Sequence, residues 1–168
     1  QGPIGNDHQP QEGPQEFVPD RTVDVIPRAN TKLVCQFDIY AVDIKNGQEI
    51  QLTNQKPLDD GSEYSPDGKF IYFNSARTGS MELWRMKPDG SDQEQLTDDD
   101  LQNWFPHLSP DGKWIAYNVS VPRQPLTDDD GAAWSELHVV DVEGTSRPFI
   151  TGKVNIGACR WMPDSRAI

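Results

Sequence analysis

A short run of mainly apolar residues between charged residues recurs along the chain from about residue 37. The run Asp38–Asp43 (DIYAVD) returns as Glu82–Lys87 (ELWRMK) and again as Glu136–Asp141 (ELHVVD), at offsets of 44 and 54 residues. Short runs that contain aromatic and β-branched side chains are typical of strands. Each run is therefore predicted to be a β-strand.

Further landmarks repeat in register with these strands. A Leu-Thr or Ile-Thr pair follows each run, and a Pro-Asp turn lies between apolar runs in every repeat, at Pro66, Pro110 and Pro163. Proline presets the backbone for such a turn, and glycine at the fourth position of the first two turns accepts a positive φ. Each unit of about 44 residues is thus predicted to hold four short strands.

Four antiparallel strands per repeat at this period predict an all-β fold made of β-propeller blades. Residues 37–168 contain about three such units, fewer than a closed ring needs, so we expect a fragment or one of several chains that complete a ring. Residues 1–36 are rich in proline and glycine and are predicted to form an extended leader, with one strand around Val23–Ile26.

Composition and motifs exclude several classes of function but do not identify one. The 168 residues carry a net charge of −12 and a mean hydropathy of −0.72. No stretch reaches the roughly 18 apolar residues of a membrane span, and a strongly acidic chain repels nucleic acid. The sequence lacks the motifs of nucleophilic hydrolases, zinc proteases and phosphate-binding loops, so neither catalysis nor a cofactor is expected.

The repeats resemble a known family. The segment YSPDGKFIYFNSARTGSMELWRMKPDGSDQEQLT, followed by a second SPDGKWIAY, is similar to the repeats of TolB-type (WD40-like, PD40) propellers. The third repeat, PDSRAI, matches in part. The resemblance implies a bacterial, periplasmic or secreted scaffold that binds a protein or peptide partner without catalysis. Because related propellers also occur on peptidases, an alternative is a substrate-filtering domain of a hydrolase whose catalytic domain lies outside this chain.

Candidate binding residues come from the alignment of the repeats. Glu63, His107 and Arg160 each precede an apolar residue on the strand before the Pro-Asp turn, which is the innermost strand of a blade. Side chains on a strand alternate, so these three are predicted to point toward a central channel, with Asp59 and Asn103 nearby. They are predicted to bind a peptide terminus or a small anion, or else to form a hydrated, ion-paired channel.

Three other features of the sequence each have two possible roles. Trp104 and Phe105, just before that strand, either anchor an interface or pack between blades. The acidic runs Asp98, Asp99, Asp100 and Asp128, Asp129, Asp130 are weak calcium candidates, with solvated loops as the alternative. Cys35 and Cys159 are either two buried thiols or a long-range disulfide.

Overall fold

The computed structural model describes residues 23–29, 37–120, 135–143, 149–154 and 159–168, and these contain strands and turns but no helix. No element in this part of the chain has the length and apolar character of a membrane-crossing helix. The all-β prediction is confirmed. The strands are β1 (Val23–Ala29), β2 (Phe37–Asp43), β3 (Glu49–Gln51), β4 (Asp59–Tyr64), β5 (Ile71–Ser75), β6 (Glu82–Met86), β7 (Glu94–Gln95), β8 (Gln102–Leu108), β9 (Trp114–Ser120), β10 (Ser135–Asp141) and β11 (Phe149–Val154).

The described strands form three antiparallel sheets, and two of these have the four-stranded order that the repeats predict. The second sheet has the order β4-β5-β6-β7 and the third has the equivalent order β8-β9-β10-β11. In the first sheet β2 lies between β1 and β3. The repeated run at residue 38, 82 or 136 is thus always a strand one position in from the outer edge of its sheet.

The three Pro-Asp turns have the same hydrogen bonds, which places the third repeat in register with the other two. The amide of Ser65 donates to the carbonyl of Phe70 (2.8 Å), as Ser109 does to Trp114 (2.9 Å) and Met162 to Ala167 (2.8 Å). Ser165, with φ +59°, adopts the left-handed conformation that glycine has in the first two turns. The turn forms there without glycine, although a side chain in this region costs energy.

Apolar side chains fill the spaces between successive sheets. Ile39 and Phe73 are fully buried between the first and second sheets, and Tyr72 and Ile115 between the second and third. A third cluster on the far side of the third sheet includes Ala116, Leu137 and Cys159. The predicted packing residues enter these three clusters in turn: Tyr64 the first, Leu108 the second and Trp161 the third.

Candidate binding site

Equivalent positions of consecutive repeats meet at the end of the innermost strands. Oε2 of Glu63, on β4, lies 2.9 Å from Nδ1 of His107, on β8. Arg160 precedes the third Pro-Asp turn and borders the same cavity, whose volume is about 420 Å³. The cavity is lined by Glu63, His107, Leu108, Pro110, Cys159, Arg160 and Trp161.

The walls of this cavity are held by neighbouring elements. The indole Nε1 of Trp161 donates a 2.8 Å hydrogen bond to the carbonyl of His107, which ties the third repeat to β8. Leu108, next to His107, is 5% exposed and packs between the second and third sheets. The histidine is therefore fixed at its backbone from two sides.

The polar groups of the cavity remain accessible to solvent. The side chains of Glu63 and His107 are 40% and 32% exposed, and Arg160 is exposed. Since an ionised carboxylate has no proton to donate, the bond between them is Nδ1–H donating to Oε2. Cys159, in contrast, is buried with a free thiol, and burial raises its pKa. The thiol is thus mainly protonated and contributes little charge to the cavity.

Asp59 does not join this group, contrary to the alternation argument. A β-bulge lies between Asp60 and Glu63: Asp59 pairs with Ser75, whereas Glu63 pairs with Tyr72. Their partners are three residues apart on β5, so Asp59 and Glu63 lie on opposite faces of the sheet. Asp59 is fully buried and both of its carboxylate oxygens accept 3.0 Å hydrogen bonds from Arg77.

Asn103 also lies away from the cavity because of a β-bulge. The bulge on β8 lies between Trp104 and His107, and it again turns the residue four positions before the histidine to the other face. Asn103 is fully buried, and its amide Nδ2 lies 3.0 Å from Glu82 Oε2 and 3.2 Å from Thr97 Oγ1. Asp59 and Asn103 are thus buried polar groups of the blades, a role that the sequence argument missed.

Trp104 and Phe105 lie within β8, not in a loop before it. Phe105 is 42% exposed and has φ +53°, and its amide donates a 3.0 Å hydrogen bond to Oδ1 of Asn74 in the second sheet. Trp104 is partly buried, with its ring centroid 6.0 Å from that of Phe105. Phe105 is thus exposed and Trp104 half-buried, and neither lines the cavity of Glu63 and His107.

The acidic runs do not assemble a metal site in the described part of the chain, where no group of three or more potential ligands converges. Asp99 Oδ1 accepts the amide of Leu101 (2.8 Å), a local turn contact. Asp98 and Asp100 are exposed on the same loop. Asp128, Asp129, Asp130 and Cys35 lie outside the described residues.

Sequence reasoning identified the three polar residues but missed the residues that form the cavity wall around them. Leu108 and Trp161 were identified only as packing residues, and Pro110 only as a turn residue, yet all three line the cavity. Each lies within three residues of a predicted site residue. Leu108 and Trp161 directly follow an aligned polar residue and Pro110 lies three residues after one, and this proximity was the available signal.

Successive antiparallel sheets that pack face to face, each beginning with an inner strand, define a β-propeller architecture. A family model described as the TolB beta propeller domain (PD40) matches residues 13–125. The chain belongs to this family. The resemblance seen in the sequence is thereby confirmed.

Individual relatives agree with this assignment. The uncharacterized protein Atu1656 of Agrobacterium fabrum strain C58 is 40% identical over 131 residues, covering 76% of this chain and 44% of that protein. The structure of a TolB-type protein from Agrobacterium tumefaciens superposes with a TM-score of 0.67 at 33% identity, covering 79% of this chain and 46% of the other. The uncharacterized peptidase YuxL of Bacillus subtilis is 29% identical over 65% of this chain and 17% of its own length. The chain thus spans less than half the length of these relatives.

Proposed function

We propose that this chain is part of a non-catalytic propeller that binds a protein or peptide partner in the bacterial envelope. Membership of the TolB propeller family supports an interaction role, since the structural relatives include TolB proteins. The same kinship supports a periplasmic location. Other propeller segments, from this or another chain, would complete the ring around the cavity.

The observation that carries the proposal is the convergence of Glu63, His107 and Arg160 on one cavity. Three repeats each contribute one polar side chain, and all three are open to solvent. Binding sites typically combine apolar walls with a few polar groups that fix orientation. Leu108 and Trp161 supply the apolar surface here.

A second function has one observation in its favour. The peptidase YuxL of Bacillus subtilis shares 29% identity with this chain over 111 residues. If a hydrolase domain accompanies this propeller, the same cavity would select peptides for it. In both cases the propeller itself binds a peptide and catalyses nothing.

The test is site-specific crosslinking in cells that express the protein. A photoreactive phenylalanine analogue replaces Arg160 in one strain and Lys45, on the hairpin between β2 and β3, in another. A protein adduct that forms from position 160 and is absent from position 45 supports the proposal. Adducts from neither position, or equally from both, would contradict it. Peptide hydrolysis by the complete protein would favour the second function.

A further inference from the structure

We propose that the cavity holds the free N-terminal ammonium of a peptide whose first side chain is apolar. This assignment rests on the proposed function and names the ligand group that the site would recognise. It follows from the hydrogen-bond capacity that Glu63 and His107 leave free. The sequence pattern left two ligand classes open, a peptide terminus and a small anion. The proposal selects the N-terminus of a peptide.

The Glu63–His107 pair presents hydrogen-bond acceptors to the cavity. His107 Nδ1–H already donates to Oε2 of Glu63, so in the neutral imidazole Nε2 carries a lone pair and accepts. Oε1 of Glu63, unlike Oε2, accepts no hydrogen bond within the described part of the chain, and the side chain is 40% exposed. An ammonium group has three donors, which suits two such acceptors and leaves one for water.

A carboxylate or phosphate ligand fits this end of the cavity poorly. Either one would have to approach the carboxylate of Glu63 and the lone pair on His107, and like charges at contact distance repel. The net charge of −12 on the chain adds a general field that favours cations. The electrostatics therefore select a positively charged group beside Glu63.

Arg160 supplies the complementary donor. Its side chain is exposed and forms no ion pair with any residue in the described ranges. In a peptide, the first carbonyl oxygen is three bonds from the N-terminal nitrogen, so one residue presents an ammonium and an acceptor together. The guanidinium of Arg160 can donate to that oxygen while Glu63 receives the ammonium.

The rest of the cavity wall is mainly apolar. Leu108, Pro110 and Trp161 line the cavity, and the indole of Trp161 is held by its bond to the carbonyl of His107. A volume of about 420 Å³ is in the range of small-ligand sites, roughly 300 to 1,000 Å³. An apolar first side chain, such as leucine, would therefore be desolvated against this wall.

The experiment measures binding of four small peptides to the purified protein by NMR titration or calorimetry. The probes are Leu-Gly-Gly amide, its N-acetylated form, N-acetylated Leu-Gly-Gly with a free carboxylate, and N-acetylated Lys-Gly-Gly amide. Leu-Gly-Gly amide should bind roughly 10- to 100-fold more tightly than its N-acetylated form, the ratio for a hydrogen bond to a charged group. The lysine probe, whose ammonium is on a side chain, should bind weakly.

Variants locate the effect. Glu63→Gln keeps the size of the side chain but removes its charge, and it should abolish the preference for the free N-terminus. Asp92→Asn, which removes an exposed carboxylate paired with Lys87 (2.6 Å), is the matched control and should keep the preference. Arg160→Ala should weaken the binding of Leu-Gly-Gly amide, and the thermal midpoint of each variant shows that it folds.

The outcomes separate this inference from the proposed function. Two results would overturn the N-terminal assignment while peptide binding at the cavity would stand. One is tighter binding of the N-acetylated peptide with a free carboxylate than of Leu-Gly-Gly amide, and the other is equal binding of N-acetylated Lys-Gly-Gly amide and Leu-Gly-Gly amide. No binding of any probe would also overturn the assignment. The crosslinking experiment then decides independently whether a partner occupies the cavity.

Discussion

Glu63 and His107, 44 residues apart in the sequence, occupy the same position in consecutive repeats and are joined by a hydrogen bond of 2.9 Å. Innermost strands of neighbouring blades lie side by side, so one repeat period separates side chains that touch. A sequence repeat thereby becomes a cluster of polar groups at one site. Arg160, one position before Trp161 in the third repeat, extends this cluster to three members.

Replacing Arg160 by alanine should weaken binding of the partner by about 1.5 to 3 kcal/mol, the range for a hydrogen bond to a charged group. The thermal midpoint should change little, because an exposed arginine contributes little packing. Calorimetric affinity and thermal unfolding of Arg160→Ala and of the control Lys45→Ala provide the measurement. Equal affinities of the two variants would remove Arg160 from the site.

Asp59 is predicted to stabilise the second sheet through its buried pair with Arg77. Asp59→Asn should lower the free energy of unfolding by about 3 kcal/mol, because the guanidinium, 13% exposed, loses its counter-charge. Asp92→Asn, in an exposed pair with Lys87, should cost less than about 1 kcal/mol. Urea denaturation of both variants tests this. Equal midpoints would show that the buried pair stabilises the fold no more than the exposed pair does.

Two glycines with similar backbone angles should respond differently to alanine. Gly68 has φ +72° and open space where a Cβ would lie, so Gly68→Ala should cost only about 1 kcal/mol in backbone strain. Gly61 has φ +63°, but its Cβ would lie 2.3 Å from Oδ1 of Asn74. Gly61→Ala should therefore cost at least about 2 kcal/mol more. Chemical denaturation of the pair measures the difference, and similar losses would contradict the close approach.

Asp67 should titrate at unusually low pH. Its pKa is lowered to about 2, first by the hydroxyl of Ser65, which donates to Oδ1 (2.7 Å), and then by Lys69. Because the folded pKa lies below the unfolded value of about 4, this carboxylate stabilises the fold above pH 4 and loses that effect as the pH falls toward 2. Ser65→Ala should raise the pKa toward 4, measured by NMR of the carboxyl carbon. The Asp111 carboxyl, whose pKa Ser109 lowers in the same way, is an internal control. An unchanged pKa for Asp67 would show that Ser65 is not the main cause.

The repeats alone were enough to predict the strands, their order within a blade and the alignment of Glu63, His107 and Arg160. The alternation rule failed at Asp59 and Asn103 because each inner strand contains one extra residue. In β4 the bulge contains Gly61, whose glycine was visible in the sequence, whereas β8 has Phe105 at the equivalent position with φ +53°. A positive φ at phenylalanine has no sequence signal, since it depends on the hydrogen bond to Asn74 in the neighbouring sheet.

The sequence by itself determined the blade: the period of 44 residues, the turns and the apolar positions are local properties that the backbone and the hydrophobic effect impose on each repeat. Only the tertiary structure decided which polar residues face the cavity and which are buried. Asp59 and Glu63 have similar chemistry and lie four residues apart, yet Asp59 is fully buried against Arg77 whereas Glu63 is 40% exposed beside His107. That difference arises because the bulge changes the face of the sheet, and the register with the neighbouring strand, not the local sequence, determines where the bulge lies.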